Sequence, residues 1–198
     1  MNSTDKRFGG DAVKGFTLLE MITVVAIIFT IVAFAIISIN GALPGQQANA
    51  GLNAAVQVFH QGRDSAIAER RSYQLLTTAP NQVGLQRLEI GGGYTVLPVV
   101  TLPAPAVFGI DPSLTSLTAP DPNFPTCSNG LCFGGTLTQT WLSDGTFVNS
   151  AGQPLNAAIY VYVPGADGTQ RAFTVLGTTG RIRSYKWTGG TNGKWVLQ

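Results

Sequence analysis

Lys14-Gly15-Phe16-Thr17-Leu18-Leu19-Glu20 sets a small residue and a lone carboxylate at the start of a membrane-length apolar run. From Phe16 to Ile39 the only ionisable side chain is Glu20. As a helix rising about 1.5 Å per residue, that run reaches roughly 36 Å, which predicts one crossing of a bilayer. Residues 1–15 are polar and carry Lys6, Arg7 and Lys14. An ordinary secretory signal would instead place its apolar stretch before the cleavage point. With the cations held in the cytoplasm, the positive-inside tendency puts the C-terminal residues outside. A cut after Gly15 removes the basic leader, leaves Phe16 as a new N-terminus and keeps the helix in the membrane.

Glu20 needs a reason of its own, because a charged side chain deep in a membrane helix costs on the order of 3 kcal/mol and usually has a partner. It lies about one helical turn from the new amino group. The N-terminal ammonium of a neighbouring subunit would neutralise it inside a helix bundle. In the alternative reading the run is a plain signal anchor and Glu20 lies near the headgroups.

The leader, the Gly15–Phe16 pair, the spacing to Glu20 and the apolar run resemble the class III signal of type IV prepilins and pseudopilins. The resemblance implies that a prepilin peptidase cuts between Gly15 and Phe16, that Phe16 is then N-methylated, and that Glu20 guides subunit docking. It also implies an inner-membrane assembly platform and other pilins or pseudopilins as partners.

Behind the apolar run, Gly41-Ala42-Leu43-Pro44-Gly45 predicts a kink or melted turn, since proline removes a backbone donor. Helical spacing resumes with Leu52, Ala55, Val56, Phe59, Ala66 and Ile67 on one face, and Asn53, Gln57, Gln61, Asp64 and Arg71 elsewhere. One long helix is expected, broken near Pro44 and ending around Arg70, with cations near its end to complement the dipole. Arg63 either pairs inward with a carboxylate or carbonyl or snorkels at the surface. The stretch Arg63-Asp64-Ser65-Ala66-Ile67, followed at once by a strand-like run, resembles the GspH/FimT family of minor pseudopilins and minor pilins.

Strand-type runs then follow over 73–77, 82–89, 94–100, 137–147, 157–163, 171–176 and 181–187, separated by Pro80-Asn81, Gly91-Gly92-Gly93, Asp144-Gly145, Pro164-Gly165 and Asp167-Gly168. Lys194 to Leu197 reads as a final edge strand or tail behind Gly189-Gly190. Seven of the eleven prolines fall between Pro98 and Pro125, which predicts an extended surface loop. After the anchor, about 150 residues remain, enough for one domain with its own core. Only 11% of residues are charged, a composition suited to a β-rich extracytoplasmic domain and not to a charged cytosolic enzyme.

Cys127 and Cys132 flank Ser-Asn-Gly-Leu, in which Asn129-Gly130 signals a tight turn that brings flanking strands together. A small disulfide is the natural reading, worth about 2 kcal/mol on the chain-entropy model. A metal pair lacks partners, since His60 is the only histidine and is far away in sequence. His60 itself reads as a solvated residue on the polar side of the helix.

No catalytic constellation, cofactor motif or metal-ligand spacing is legible, so an enzyme is not expected. The C-terminal end is basic: after Asp167 no acidic residue remains, whereas Arg171, Arg181, Arg183, Lys186 and Lys194 do. Strand alternation puts Arg181, Arg183 and Tyr185 on one face and Ile182 on the other. Cations beside aromatic rings hold phosphates and stack bases, which makes Arg181, Arg183 and Lys186 a secondary DNA-binding candidate. Gly180-Arg181-Ile182-Arg183 also resembles the FimT branch, whose motif is linked to DNA capture. In the competing structural reading the arginines pair with carboxylates or cap the sheet edge.

The sequence thus predicts an α+β protein of type IV pilin-like fold, a long N-terminal helix, transmembrane in its first half, packed on an antiparallel β-sheet domain. Its expected parts are a leader (1–15), a transmembrane and assembly helix (16–40) and a periplasmic domain with the second half of the helix (41–198). The GspH/FimT resemblance implies a type II secretion pseudopilin of H type or, in the alternative, a type IV pilus minor pilin of FimT/FimU type. It further implies a single-pass bacterial inner-membrane protein that enters a pseudopilus or pilus.

Overall fold

The computed structural model describes residues 15–78, 80–114, 117–134, 138–188 and 193–198, the side chains of 36–41 excepted. The leader cations, Leu137 and Gly189-Gly190 lie outside the described residues. One helix, α1 (Leu18–Glu69), spans 52 residues and runs through both compact units of the chain, Met1–Gly41 and Ala42–Gln198. In the first unit, Leu18–Ala35 is long and apolar enough to cross a membrane, and none of it is buried.

The helix is not interrupted at Pro44, which lies inside it. The expected break fails because proline removes a single hydrogen bond, while on its C-terminal side Ala48, Leu52 and Ala55 are fully packed. The helix ends where Arg70 takes a left-handed φ of 53° and the Arg71 N–H bonds the Ala66 carbonyl at 3.2 Å. That 6→1 bond is a Schellman-type closure built without glycine. The expected cations are absent from the last turn; Arg70 and Arg71 lie just beyond it.

In the second unit Ala48, Leu52, Ala55, Val58, Phe59 and Ala66 form the buried stripe of α1, whereas Ile67, expected on that face, is 42% exposed. Two antiparallel sheets meet this stripe. The first has the order β3 (Tyr94–Val96), β2 (Gln82–Leu88), β1 (Tyr73–Thr78), β7 (Thr140–Trp141), β8 (Phe147–Val148), with β4 (Val100–Thr101) also on β2. The second has the order β12 (Lys194–Leu197), β11 (Arg181–Thr188), β10 (Arg171–Leu176), β9 (Ala157–Tyr162), β5 (Val107–Phe108), with β6 (Leu131–Cys132) also on β9. The sheets are stitched where Phe147 N–H bonds the Gly177 carbonyl at 2.9 Å. The architecture is α+β.

Phe59 joins the layers. Its ring stands edge-on to Trp141 of the first sheet, with centroids 6.5 Å apart, and to Phe173 of the second, 4.9 Å apart. Burying such a ring is worth about 3 kcal/mol, with a further ~1 kcal/mol for favourable ring geometry. One turn on, a Cβ at Gly62 would collide with Trp141 and Leu85. Glycine is tolerated there, despite roughly 1 kcal/mol of lost helix propensity, because the sheet approaches the backbone so closely.

Several strand expectations are corrected. The run 94–100 is two short strands, β3 and β4, and the run 137–147 yields β7 and β8, a hairpin turned at Asp144-Gly145. Asn129-Gly130 does not turn a hairpin between the cysteines: β6 pairs with β9. The proline-rich segment is not a simple surface loop, since Leu102, Ala106, Phe108, Asp111 and Leu114 are buried. Leu102, Ala106 and Phe108 join the core beside α1, while Ile110, Leu117 and Phe124 pack on the second face of the second sheet, so five consecutive residues of β9 and five of β10 are buried. Prolines prevent this segment from forming long strands of its own, and its apolar residues fill that face instead.

Candidate functional site

At the head of α1, Thr17 Oγ1 accepts the Glu20 N–H at 3.2 Å, and the Thr17 carbonyl accepts the Met21 N–H at 3.2 Å. Thr17 is therefore the N-cap, and Glu20 occupies the third helical position, where the helix dipole favours a carboxylate. Thr17-x-x-Glu20 ahead of an apolar run is a capping-box spacing that was open to reading in the sequence. Gly15 and Phe16 precede the helix as exposed, irregular chain, so the bond between them lies outside regular hydrogen bonding. Glu20 is exposed at the surface of its unit.

In the basic strand Arg181, Arg183 and Tyr185 share one parity, as alternation predicts, and Lys186 has the other. Arg183 faces Thr174 and Arg181 faces Leu176 on β10, while Lys186 lies opposite Arg171. Alternation puts Arg181 and Arg183 on one face of the sheet and Lys186 on the other, so the three cations do not converge. Tyr185 is buried, and its hydroxyl donates to Asp121 at 2.8 Å. Trp187 is buried as well. Neither ring is presented for base stacking. Burial, and then the Asp121 carboxylate, raise the Tyr185 pKa above its ordinary value.

Gly180 of the Thr-Gly-Arg turn has a packing reason. Its φ is 64°, and a Cβ there would overlap the Gly145 carbonyl and the Arg63 side chain. Arg63 does reach inward: its Nη2 donates to the Thr179 carbonyl at 3.4 Å, while its buried Nε has no partner among the described residues. Of the two readings of Arg63, pairing with a carbonyl is the one realised.

Sequence reasoning missed the buried polar side chains, Arg171 and Gln170 among them. Arg171 is 2% exposed, and its Nε donates to Asn49 Oδ1 of α1 at 2.6 Å, with further bonds to the Gly168 and Gln170 carbonyls. Burial pulls its pKa below the usual guanidinium value. Gln170, fully buried, accepts the Asp111 N–H at 2.7 Å and donates to the Gly109 carbonyl at 3.2 Å, pinning the proline-rich segment to β10. A polar residue at a strand start reads as exposed until the segment that covers it is known.

Cys127 and Cys132 are joined, with Cα atoms 5.4 Å apart. They border an open cleft of about 530 Å³ lined by Thr77, Thr126, Asn129, Phe133 and Gln139. All of its described lining residues are uncharged, so they supply no acid or base to a reaction there. No group of three His, Cys, Asp or Glu among the described residues is placed to hold a metal. His60 is exposed on α1. A charge cluster lies at the end of α1, where Arg87 bonds Glu69 at 3.0 Å and Glu89 at 2.8 Å, and Arg71 also pairs with Glu89. The Tyr73 hydroxyl and then Arg87 lower the Glu69 pKa; Thr95 and then Arg87 lower that of Glu89.

No family model matches this sequence, and no curated protein matches it. Among solved structures, two of the minor pseudopilin EpsH from the type 2 secretion system of Vibrio cholerae are similar. One is 14% identical, covering 70% of this chain and 94% of its own, with a TM-score of 0.43. The other is 14% identical, covering 68% and 92%, with a TM-score of 0.39.

Proposed function

We propose that this chain is a filament subunit of the pilin type, a minor pseudopilin of H type that assembles into the periplasmic pseudopilus of a type II secretion system. The observation that carries the reading is the head of α1. An exposed Gly15–Phe16 bond is followed by the Thr17 cap, by Glu20 and by an apolar, unburied span. Cutting that bond places a new ammonium at Phe16, within about one turn of Glu20. Opposite charges in hydrocarbon attract strongly and exclude unmatched alignments. A bundle of such helices is held in register by the acid of one subunit and the amine of its neighbour, while the β-rich domain makes the outer contacts.

Mass analysis of the N-terminus, on protein taken from its native membrane, tests the reading. The expected chain begins at an N-methylated Phe16. Recovery of the uncut chain from cells with an active prepilin peptidase would overturn it. A second reading, a type IV pilus minor pilin of FimT/FimU type that contacts DNA, draws support from Arg181 and Arg183 sharing one face of β11.

A further inference from the structure

The geometry points to a homodimer formed by antiparallel pairing of β3 with β3 of a second copy of this chain. Within the first sheet, Glu89 N–H bonds the Gly93 carbonyl and Leu97 N–H bonds the Leu85 carbonyl. In the register Arg87↔Thr95 and Leu88↔Tyr94, these bonds make Gly93, Thr95 and Leu97 the residues that face β2. The N–H and C=O groups of Tyr94 and Val96 therefore point away from it. They have no partner among the described residues. Shortness, lysine, proline and bulges commonly protect such an edge; β3 is short, at three residues, but carries no lysine or proline.

The face beside this edge is apolar. Leu88, Ile90, Tyr94, Val96 and Val99 are 41%, 86%, 57%, 59% and 48% exposed. Apolar side chains left exposed together beside a sheet edge mark an interaction surface, and a standard interface takes about 800 Å² from each partner.

A second copy fits the edge by symmetry. With Thr95 on the two-fold axis, Tyr94 and Val96 of each copy exchange N–H···O bonds with Val96 and Tyr94 of the other, four bonds in all. Each aromatic ring then lies beside a β-branched side chain, a favourable cross-strand pair, and the two apolar faces become one. On the opposite face Arg71, Arg87, Glu69 and Glu89 sum to zero charge, so two copies meet without net repulsion.

The test uses the full chain in its membrane. Thr95 would meet its symmetry mate as a non-hydrogen-bonded pair with Cα atoms about 4.5 Å apart, within disulfide reach. Cys127 and Cys132 are already bonded to each other, so Thr95→Cys adds the one reactive thiol among the described residues. Under mild oxidation it is expected to give a disulfide-linked homodimer at least tenfold more efficiently than Ala151→Cys, an exposed control on a turn outside β3. Adding Val96→Pro, which removes the outward donor, or Val96→Lys, which charges the edge, is expected to reduce the dimer at least tenfold. If near-ultraviolet circular dichroism shows that the proline variant is misfolded, the lysine variant decides. Cross-linking no better than the control, persistence in the folded edge variants, or a different protein as the captured partner would each overturn the proposal.

Discussion

At the scale of single residues, Tyr160 and Gly180 give the sharpest expectations. Tyr160 is fully buried under the proline-rich segment, and its hydroxyl has no partner among the described residues. Burial pushes its pKa up to about 12. A raised folded-state value means that the unfolded chain ionises first, so this contribution is intact below about pH 10 and is lost toward pH 12. Tyr160→Phe is expected to change stability by about 1 kcal/mol or less at pH 7 and to flatten the alkaline decline between pH 10 and 12 in urea titrations. Gly180→Ala meets both a left-handed backbone and the Gly145 carbonyl. It should destabilise by about 3 kcal/mol or more, read by thermal unfolding. That penalty belongs to packing, so the motif's glycine is explained without DNA.

At the scale of elements, the end of α1 and the proline-rich segment respond to different variables. Glu69 and Glu89 have lowered pKa values, so the stability they lend is present above the ordinary carboxylate range and fades as the pH falls through their folded values. Acid titration of Glu89→Gln should show a shallower loss below about pH 4.5 than the parent chain. The disulfide ties Cys127 to β6 and through it to β9. Replacing both cysteines with serine should lower stability by about 2 kcal/mol in denaturant melts. Helix α1 and strands β1, β2, β9, β10 and β11 were legible in the sequence, because periodicity and turn residues are local signals. Pro44 misled because the one bond it removes is offset by the packing of Ala48, Leu52 and Ala55 just beyond it. The burial of Arg171 and Gln170 was illegible because it depends on segments remote in sequence, Asn49 of α1 and the chain near Asp111, folding against them.

At the scale of the whole molecule, Glu20→Ala is expected to leave cutting at Gly15–Phe16 intact while impairing incorporation into filaments, measured as the variant's share of sheared or purified fibre. Incorporation at the parental level would remove the docking role from Glu20. The DNA reading predicts a salt-dependent shift of labelled duplex by the detergent-solubilised full chain, lost in an Arg181→Ala, Arg183→Ala double variant. No shift at low salt would remove both arginines from it. The proposed processing and docking residues Gly15, Phe16 and Glu20 lie within six positions of one another, so sequence alone could nominate them. The divergence of Arg181 and Lys186 to opposite faces of β11 was implicit in strand parity and became plain with the register. Strand β10 has both neighbours in place and both faces covered. Its amide protons should be among the last to exchange with deuterated solvent, released through global unfolding rather than local opening. The exchange rate of the Phe173 amide would then report the stability of the whole second unit.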